Sequence, residues 1–369
     1  MFSVGSPGLL ARAARLPMLV ALGLVLGVTA AQAAEATLGE AVNQADSKYL
    51  DISPKGGLGD AQEIVVGGGE EQGLPPIGDE ISEGPVRVTL TFEAGPAYED
   101  EVPYVPVVKV FFDNPRTPRP KEGEEPAGDN AAPDAGEMQS DAGETLAGPS
   151  EVAKLEGNGA ADPMVSVQIA ELDASNPYPE VVVSFFTGGA HCCSETHVVS
   201  SNADGSVWRI VDVGELDGGP IVSVDLDGDG TYEFETRDNA FLYAFGCYAC
   251  SETPLRVLGV VDGTLKDMSG EARFQPAHAA WLKTMILGVP DGEVNGFLAG
   301  YVAQKIRLGE GRQAWDLMLK YYDRDSDWGL TLCDQDPNER GECPGKTTKV
   351  TFPEALERML NENGYKVGG

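Results

Sequence analysis

Val86-Arg-Val-Thr-Leu-Thr-Phe92 alternates apolar and polar residues without a break, the pattern of a strand with one buried face. Residues 105–112 read as a second strand, and Val165-Ser-Val-Gln-Ile169 alternates again. Between them, residues 114–150 carry Pro, Gly, Ala and many carboxylates but almost no large apolar residue. That composition predicts disorder. The flanks Val108-Lys-Val-Phe-Phe-Asp113 and Glu151-Val-Ala-Lys-Leu-Glu156 read as two arms of one hairpin, so the insertion is an inflated turn inside a β domain. Loop closure costs grow only logarithmically with length, so such an insertion is tolerated. Beyond about residue 271 the period changes. Residues 277–287, 294–308 and 312–322 carry apolar positions at helical spacing; in the last, Ala314, Trp315, Met318, Leu319 and Tyr322 form one stripe. Thr351-Phe-Pro-Glu354 is a capping box with proline in the first turn, and it opens a final helix that Gly364 ends.

The stretch from Glu171 to Thr253 contains one small unit twice. Each copy has a Leu-Asp pair, an acidic turn, an apolar strand and a terminal Cys-Ser-Glu-Thr, at Cys193–Thr196 and Cys250–Thr253. The tetrapeptides are offset by 57 residues and the Leu-Asp pairs by 54, so the copies differ by a short insertion. Residues 181–186, 207–213, 221–226, 232–236, 241–245 and 255–261 read as strands, the last closing on the turn Asp262-Gly263. The expected fold is α+β. An antiparallel β-rich domain over 85–268 holds the two-copy repeat and the disordered insertion, and a helical C-terminal region follows over 271–369.

Composition adds a compartment. Arg12 and Arg15 precede an uncharged apolar run over 18–30, and Ala31-Gln32-Ala33 fits a small-x-small cleavage site. Residues 1–33 thus read as a signal peptide, too short in its apolar part for a stable span. Residues 34–84 are rich in Gly, Glu and Pro and read as a flexible leader, with a short ordered piece around 47–52. No later stretch is apolar enough to cross a membrane. The mature chain is expected to be periplasmic or secreted. Losing the two leader arginines takes the formal charge from -33 to -35. Such a surface repels nucleic acid and anionic lipid and attracts divalent cations. Solvation alone is the bland reading of this charge, and the partner expected is a protein or glycan of unknown identity.

The second copy opens with Asp225-Leu-Asp227-Gly-Asp229-Gly230-Thr231-Tyr-Glu233. Calcium takes six to eight oxygens on a tightly folded loop. Asp225, Asp227 and Asp229 stand at alternate positions, Gly230 permits the sharp turn, Thr231 offers a carbonyl and Glu233 closes the site. An EF-hand needs Glu at the twelfth position, here Thr236, and helical flanks; the flanks here are strands. The bland reading is a solvated Asp/Gly hairpin turn. The pattern resembles the calcium loop of FG-GAP or VCBS repeats, as in integrin-type propellers, over about 222–234. Thr187-Gly-Gly-Ala-His191-Cys192-Cys193 resembles a segment of uncharacterised exported bacterial proteins of that broad group. The resemblance implies calcium ligands at Asp225, Asp227, Asp229, Thr231 and Glu233. The chain lacks a full set of propeller blades. The first copy, with Glu171, Asp173, Ser175, Asn176 and a late Glu180, reads as a degenerate turn. Asp323-Arg-Asp325-Ser-Asp327 is a lookalike with Trp328 where glycine is wanted.

Six cysteines in an exported chain favour disulfides. Cys192 and Cys193 are adjacent and point to opposite sides of an extended segment, so each is expected to take a different partner, with Cys247 and Cys250 the obvious ones. Three pairings of these four are open. Cys333 and Cys343 are expected to pair locally, which contributes roughly 2–3 kcal/mol. The sharper alternative is a metal- or thiol-dependent enzyme built on His191, His197 and the four central cysteines, since these are zinc and copper ligands and Cys247-Tyr-Ala-Cys250 has redox spacing. Neither Gly-x-Ser-x-Gly nor His-Glu-x-x-His occurs, and a hydrolase of unknown class is a third reading. The leading expectation is a non-catalytic, calcium-binding, disulfide-stabilised binding or envelope protein.

Overall fold

Strands rich in valine form antiparallel sheets that stack on one another. The computed structural model describes residues 36–53, 61–66, 78–96, 103–114, 149–160, 162–189, 192–336, 338, 340 and 342–367, and Thr37–Gly369 forms one unit. The signal-peptide reading over 1–33 and nearly all of the insertion lie outside the described residues. In chain order the elements are α1 (Leu38–Asp46), β1 (Gln62–Val66), β2 (Asp79–Glu83), β3 (Val86–Ala94), β4 (Tyr104–Phe112), β5 (Ser150–Glu156), β6 (Val165–Ala170), β7 (Glu180–Phe186), β8 (Cys192–Ser201), β9 (Trp208–Asp217), β10 (Phe234–Arg237), β11 (Leu255–Val261), β12 (Thr264–Asp267), α2 (Gln275–Leu287), α3 (Val294–Arg307), α4 (Gly311–Tyr321), β13 (Thr331–Cys333), β14 (Thr347–Lys349) and α5 (Phe352–Glu362). The fold is α+β, with antiparallel sheets and C-terminal helices.

A four-stranded sheet, β2-β3-β4-β5, faces a five-stranded one, β1-β6-β7-β8-β9. Val88 and Leu90 of β3 and Val108 and Val110 of β4 pack against Val167, Ile169, Val181 and Val183 across the gap. Burying each such side chain contributes about 1.5–3 kcal/mol. The β4–β5 pairing, with Phe112 opposite Ser150 and Val108 opposite Leu155, is the hairpin expected across the insertion. The other face of the central sheet is also covered. Val182, Val198, Val211 and Val213 meet Phe234, Leu258 and Val260 of a three-stranded sheet, β10-β11-β12. The alternation in β6 therefore does not mark a solvated face. Its polar residues Ser166 and Gln168 are buried and hold the chain before the acidic turn. Gln168 donates to Ser223 O at 2.9 Å and accepts from Ser223 N at 2.7 Å, and Ser166 Oγ donates to Ile221 O at 2.7 Å. This side-chain stitching replaces most of the strand expected over 221–226, of which only the Val224–Glu233 bridge forms. The strand expected over 241–245 is also absent. Asn239–Phe241 is a 3-10 turn whose first amides Asp238 caps.

The helices stand where the 3.6-residue period puts them, and Thr351 N donates to Glu354 at 2.8 Å as the capping box requires. Their core joins Leu282, Phe297, Tyr301, Met318, Phe352 and Leu356, while Leu319, assigned to the inward stripe, is 40 % exposed. The leader is not featureless. A capping box at Thr37–Glu40 starts α1, whose Leu38 and Val42 enter the helical core. Asp46 at its end pairs with Lys305 of α3, both buried, and accepts the Tyr301 hydroxyl at 2.6 Å. Lys305 and Lys48 both pair with Glu310. Desolvation would raise Glu310, but the hydrogen bonds from Lys305 and Lys48 outweigh it and hold its carboxyl at about 2. A carboxyl depressed on folding supplies stability that is complete above its ordinary value near 4.5 and is lost as pH falls toward 2. We expect Glu310→Gln to flatten the acid limb of a melting-temperature profile between pH 4.5 and 2, leaving its neutral shape unchanged. An unaltered acid limb would remove Glu310 from the balance.

Candidate metal centre

The acidic turn is built from its ends inward. Val224 and Glu233 exchange two backbone hydrogen bonds of 2.8 Å, so residues 225–232 form a closed loop on the three-stranded sheet. Gly228 and Gly230 have φ of 83° and 89°, which lets the loop double back twice. Asp225 Oδ1 accepts from Gly228 N at 2.7 Å and its Oδ2 from Gly230 N at 3.1 Å. Asp227 accepts from Asp229 N at 3.1 Å and Asp229 from Thr231 N at 2.8 Å. These turns gather one ligand oxygen of each of Asp225, Asp227 and Asp229 within 4.8 Å of one another. That cluster has the chemistry to bind a hard cation.

Glu233, from the edge of β10, completes the arrangement from below. It is 1 % exposed, its Oε2 accepts from Leu226 N at 3.2 Å, and its Oε1 is buried without a hydrogen bond. Burial pushes its carboxyl up to about 7, against the pull of the Leu226 amide and Arg273. Arg273, just before α2, lies over the same carboxylates. Its Nη1 is 2.8 Å from Asp229, 3.1 Å from Asp227 and 3.6 Å from Glu233 Oε1. One positive group thus stands at the place where three acidic side chains converge. Arg273 carries no signal in the sequence, being 44 residues from Asp229 and outside any local pattern.

The first copy shows the same scaffold with the counterpart of Glu233, Glu180, already hydrogen-bonded at both oxygens. Glu180 accepts from Leu172 N at 2.9 Å as Glu233 does from Leu226 N, but it also accepts from Asp173 N, Ser200 Oγ and Asn176 Nδ2. The Asn176 amide, 2.8 Å from Glu180 Oε1, fills the position that Arg273 approaches in the second copy. Asp173 accepts from the Asp262 and Gly263 amides and anchors the β11–β12 turn. Desolvation alone would raise its carboxyl, but the hydrogen bonds from Ser175 and Gly263 hold it below its usual range. Ser and Asn at 175 and 176 were the legible sign of this, since they offer amide and hydroxyl donors to the acid in place of further charge. Glu171 is pushed up to about 7 by burial and by its neighbours Glu180 and Asp173.

The cysteines depart from the expected crossing. Cys247 pairs with Cys250, three residues on, and Cys333 pairs with Cys343 as expected. The Tyr248–Cys250 3-10 turn brings Cys247 and Cys250 to a Cα separation of 4.9 Å, so local geometry decides against a bond to the His-Cys-Cys segment. Cys193 is disulfide-bonded too. His191 lies outside the described residues. His197 on β8 lies 3.2 Å from Glu195, and His278 is buried in α2 against Ser269 O at 2.8 Å. Asp323 is tied to Asn295 at the mouth of a cavity that Asp325 and Asp327 also line. Cysteines also lie with acids at Cys247, Cys250, Glu293 and at Cys333, Asp334, Cys343, but their sulfurs are oxidised, which among the described residues leaves the aspartate cluster as the group without oxidised sulfur.

Fold and site together define an α+β protein of stacked antiparallel sheets carrying an acidic loop and a docked helical region. A family model described as the sll0997 C-terminal domain matches residues 277–364, which is that helical region. The chain is 42 % identical over 219 residues, 58 % of its length, to a "Probable thylakoid lumen protein sll0997" of Synechocystis sp., and spans 64 % of that relative. It is 38 % identical over 205 residues, 54 % of its length, to an "Uncharacterized protein y4bJ" of Sinorhizobium fredii, and spans 32 % of that one. No solved structure matches. Among the described residues no helix is long and apolar enough to cross a membrane.

Proposed function

We propose that this is an exported, calcium-binding, disulfide-stabilised protein with a binding or envelope role. Two parts fit this reading: a β-rich domain over 85–268 and a helical region over 271–369. The observation that carries it is the buried Glu233 Oε1, which has no hydrogen bond and faces the point where Asp227 and Asp229 converge. A carboxylate oxygen removed from water with no hydrogen bond, and only a guanidinium 3.6 Å away, costs folding free energy. A calcium ion held by Asp225, Asp227, Asp229 and Glu233, with the Thr231 carbonyl as a further ligand, recovers it. Arg273 supports the same reading, because it contacts the cluster without bonding Glu233 Oε1, and calcium exchanges for it. The loop's likeness to FG-GAP calcium loops agrees. The lumenal description of the Synechocystis relative agrees with export, as do the leader and the disulfides.

Calorimetric titration of the oxidised protein with calcium is the test, with Asp227→Ala alongside. Saturable heat and a raised melting temperature are expected in the wild type and neither in the variant. At ten times Kd the ion adds about 1.4 kcal/mol. A wild type that takes up no calcium reduces the loop to an aspartate turn neutralised by Arg273.

A further inference from the structure

The disulfide Cys247–Cys250 is poorly explained as a staple. It closes only a Cys-x-x-Cys ring, and entropic stabilisation by a disulfide grows with loop length. The segment is already held without it. Cys250 N donates to Cys247 O at 3.0 Å, Ser251 Oγ to Cys247 O at 2.9 Å, and Tyr243 N to Ser251 Oγ at 3.2 Å. Both cysteines are partly exposed. The Cys250 sulfur lies 2.8 Å from a carboxylate oxygen of Glu293, the residue that precedes α3. Among the described residues three non-glycine residues have left-handed backbone, and two of them, Tyr243 (φ 59°) and Glu293 (φ 51°), flank this one disulfide. Strain of this kind persists where surrounding structure enforces it, and it collects at functional sites.

The surroundings also suggest what comes to it. Glu293 and Gly246 line a cavity of about 300 Å³ shared with Asp323, Asp325 and Asp327. Trp328, 48 % exposed, lines it as well, held by a 2.8 Å hydrogen bond from its Nε1 to Tyr243 O. Four carboxylates and an exposed indole favour a basic partner.

We infer that Cys247 and Cys250 form a reversible dithiol–disulfide centre that oxidises paired cysteines in a basic protein or peptide, with Glu293 as the proton acceptor of Cys250. The Glu293 carboxylate shields the Cys250 sulfur from an anionic nucleophile, so a substrate thiolate attacks Cys247 Sγ. The Cys247–Cys250 bond breaks, its electron pair goes to Cys250 Sγ, and that sulfur takes a proton that Glu293 relays from solvent. The second substrate thiolate attacks the substrate sulfur of the mixed disulfide and releases Cys247, which is protonated in turn. The substrate dithiol thereby loses two electrons and two protons, and the two cysteines gain them. In the return direction Cys250 gives its proton to Glu293 as its sulfur closes on a mixed disulfide at Cys247.

The test uses the oxidised full chain with a lysine-rich and a glutamate-rich dithiol peptide, alkylation of thiols at timed intervals, and peptide mass spectrometry. Cys247–Cys250 should open at least tenfold faster than Cys333–Cys343, with the melting temperature unchanged. The lysine-rich peptide should be oxidised about tenfold faster than its counterpart. Cys247→Ser with Cys250→Ser should abolish that oxidation while leaving the fold intact, and Glu293→Gln should slow reclosure of the mixed disulfide about tenfold. A Cys247–Cys250 bond that yields only when the protein unfolds, or equal rates for the two peptides, overturns the inference.

Discussion

Replacing Asp46 by alanine should lower the unfolding free energy by about 3–5 kcal/mol, read from denaturant titrations of variant and wild type. Asp46 is fully buried and Lys305 is 1 % exposed. One Asp46 oxygen pairs with the Lys305 ammonium and the other accepts the Tyr301 hydroxyl. Removing the carboxylate strands a buried charge, and that cost exceeds what the pair itself supplies. The same reasoning gives the opposite result for the double variant Asp46→Leu with Lys305→Met. An apolar pair of similar volume should recover most of the loss, because forming a buried ion pair nearly cancels against desolvating it. A single variant that loses less than about 1 kcal/mol would mean that Glu310, which also pairs with Lys305, carries the charge balance alone.

This network shows what was legible in the chain and what was not. The four C-terminal helices could be read because their signal is local, a period and a capping box within a dozen residues. The same box stands at Thr37-Leu-Gly-Glu40, yet the Gly- and Glu-rich average of residues 34–84 hides it. What secures α1 lies 259 residues away at Lys305, and no window contains both. The central sheet misled for a related reason. Alternation in β6 marks two chemically different faces, and it does not reveal that the polar face is buried against residues 221–223. At the acidic turn the aspartates were legible because a nine-residue loop carries them all. Arg273 was not, and neither was the use of Asn176 as a resident donor to Glu180. For the cysteines, repeat symmetry argued for bonds between the copies, while a single 3-10 turn decided for a bond within one.

The divergence of the two copies follows one rule: each places a buried glutamate under a Leu-Asp amide and then has to satisfy that glutamate's remaining oxygen. The first copy does so with an amide and a hydroxyl, which fixes the turn permanently. The second leaves the oxygen without a hydrogen bond, beside Asp227, Asp229 and the Arg273 guanidinium.

Gly300→Ala should destabilise the protein by about 1–3 kcal/mol, although the same change in an exposed helix interior gains about 1 kcal/mol. Gly300 lies in the middle of α3, and a β-carbon there would stand 2.1 Å from Glu252 O and 2.5 Å from its carbonyl carbon. One turn earlier, at Gly296, a β-carbon would meet Cys250 O at 2.4 Å. The obstacle in both cases is backbone, which cannot swing aside as a side chain can. Either methyl group therefore pushes α3 away from residues 250–253, and with it Glu293 away from the Cys250 sulfur. The sign of the effect is the informative part. A Gly300→Ala variant that melts at or above the wild-type temperature would mean that this segment rides loosely on α3. Gly309→Ala reads backbone strain alone, because a β-carbon there meets nothing within 4 Å while its φ is 74°; Gly300 has no positive φ, so its loss comes from contact.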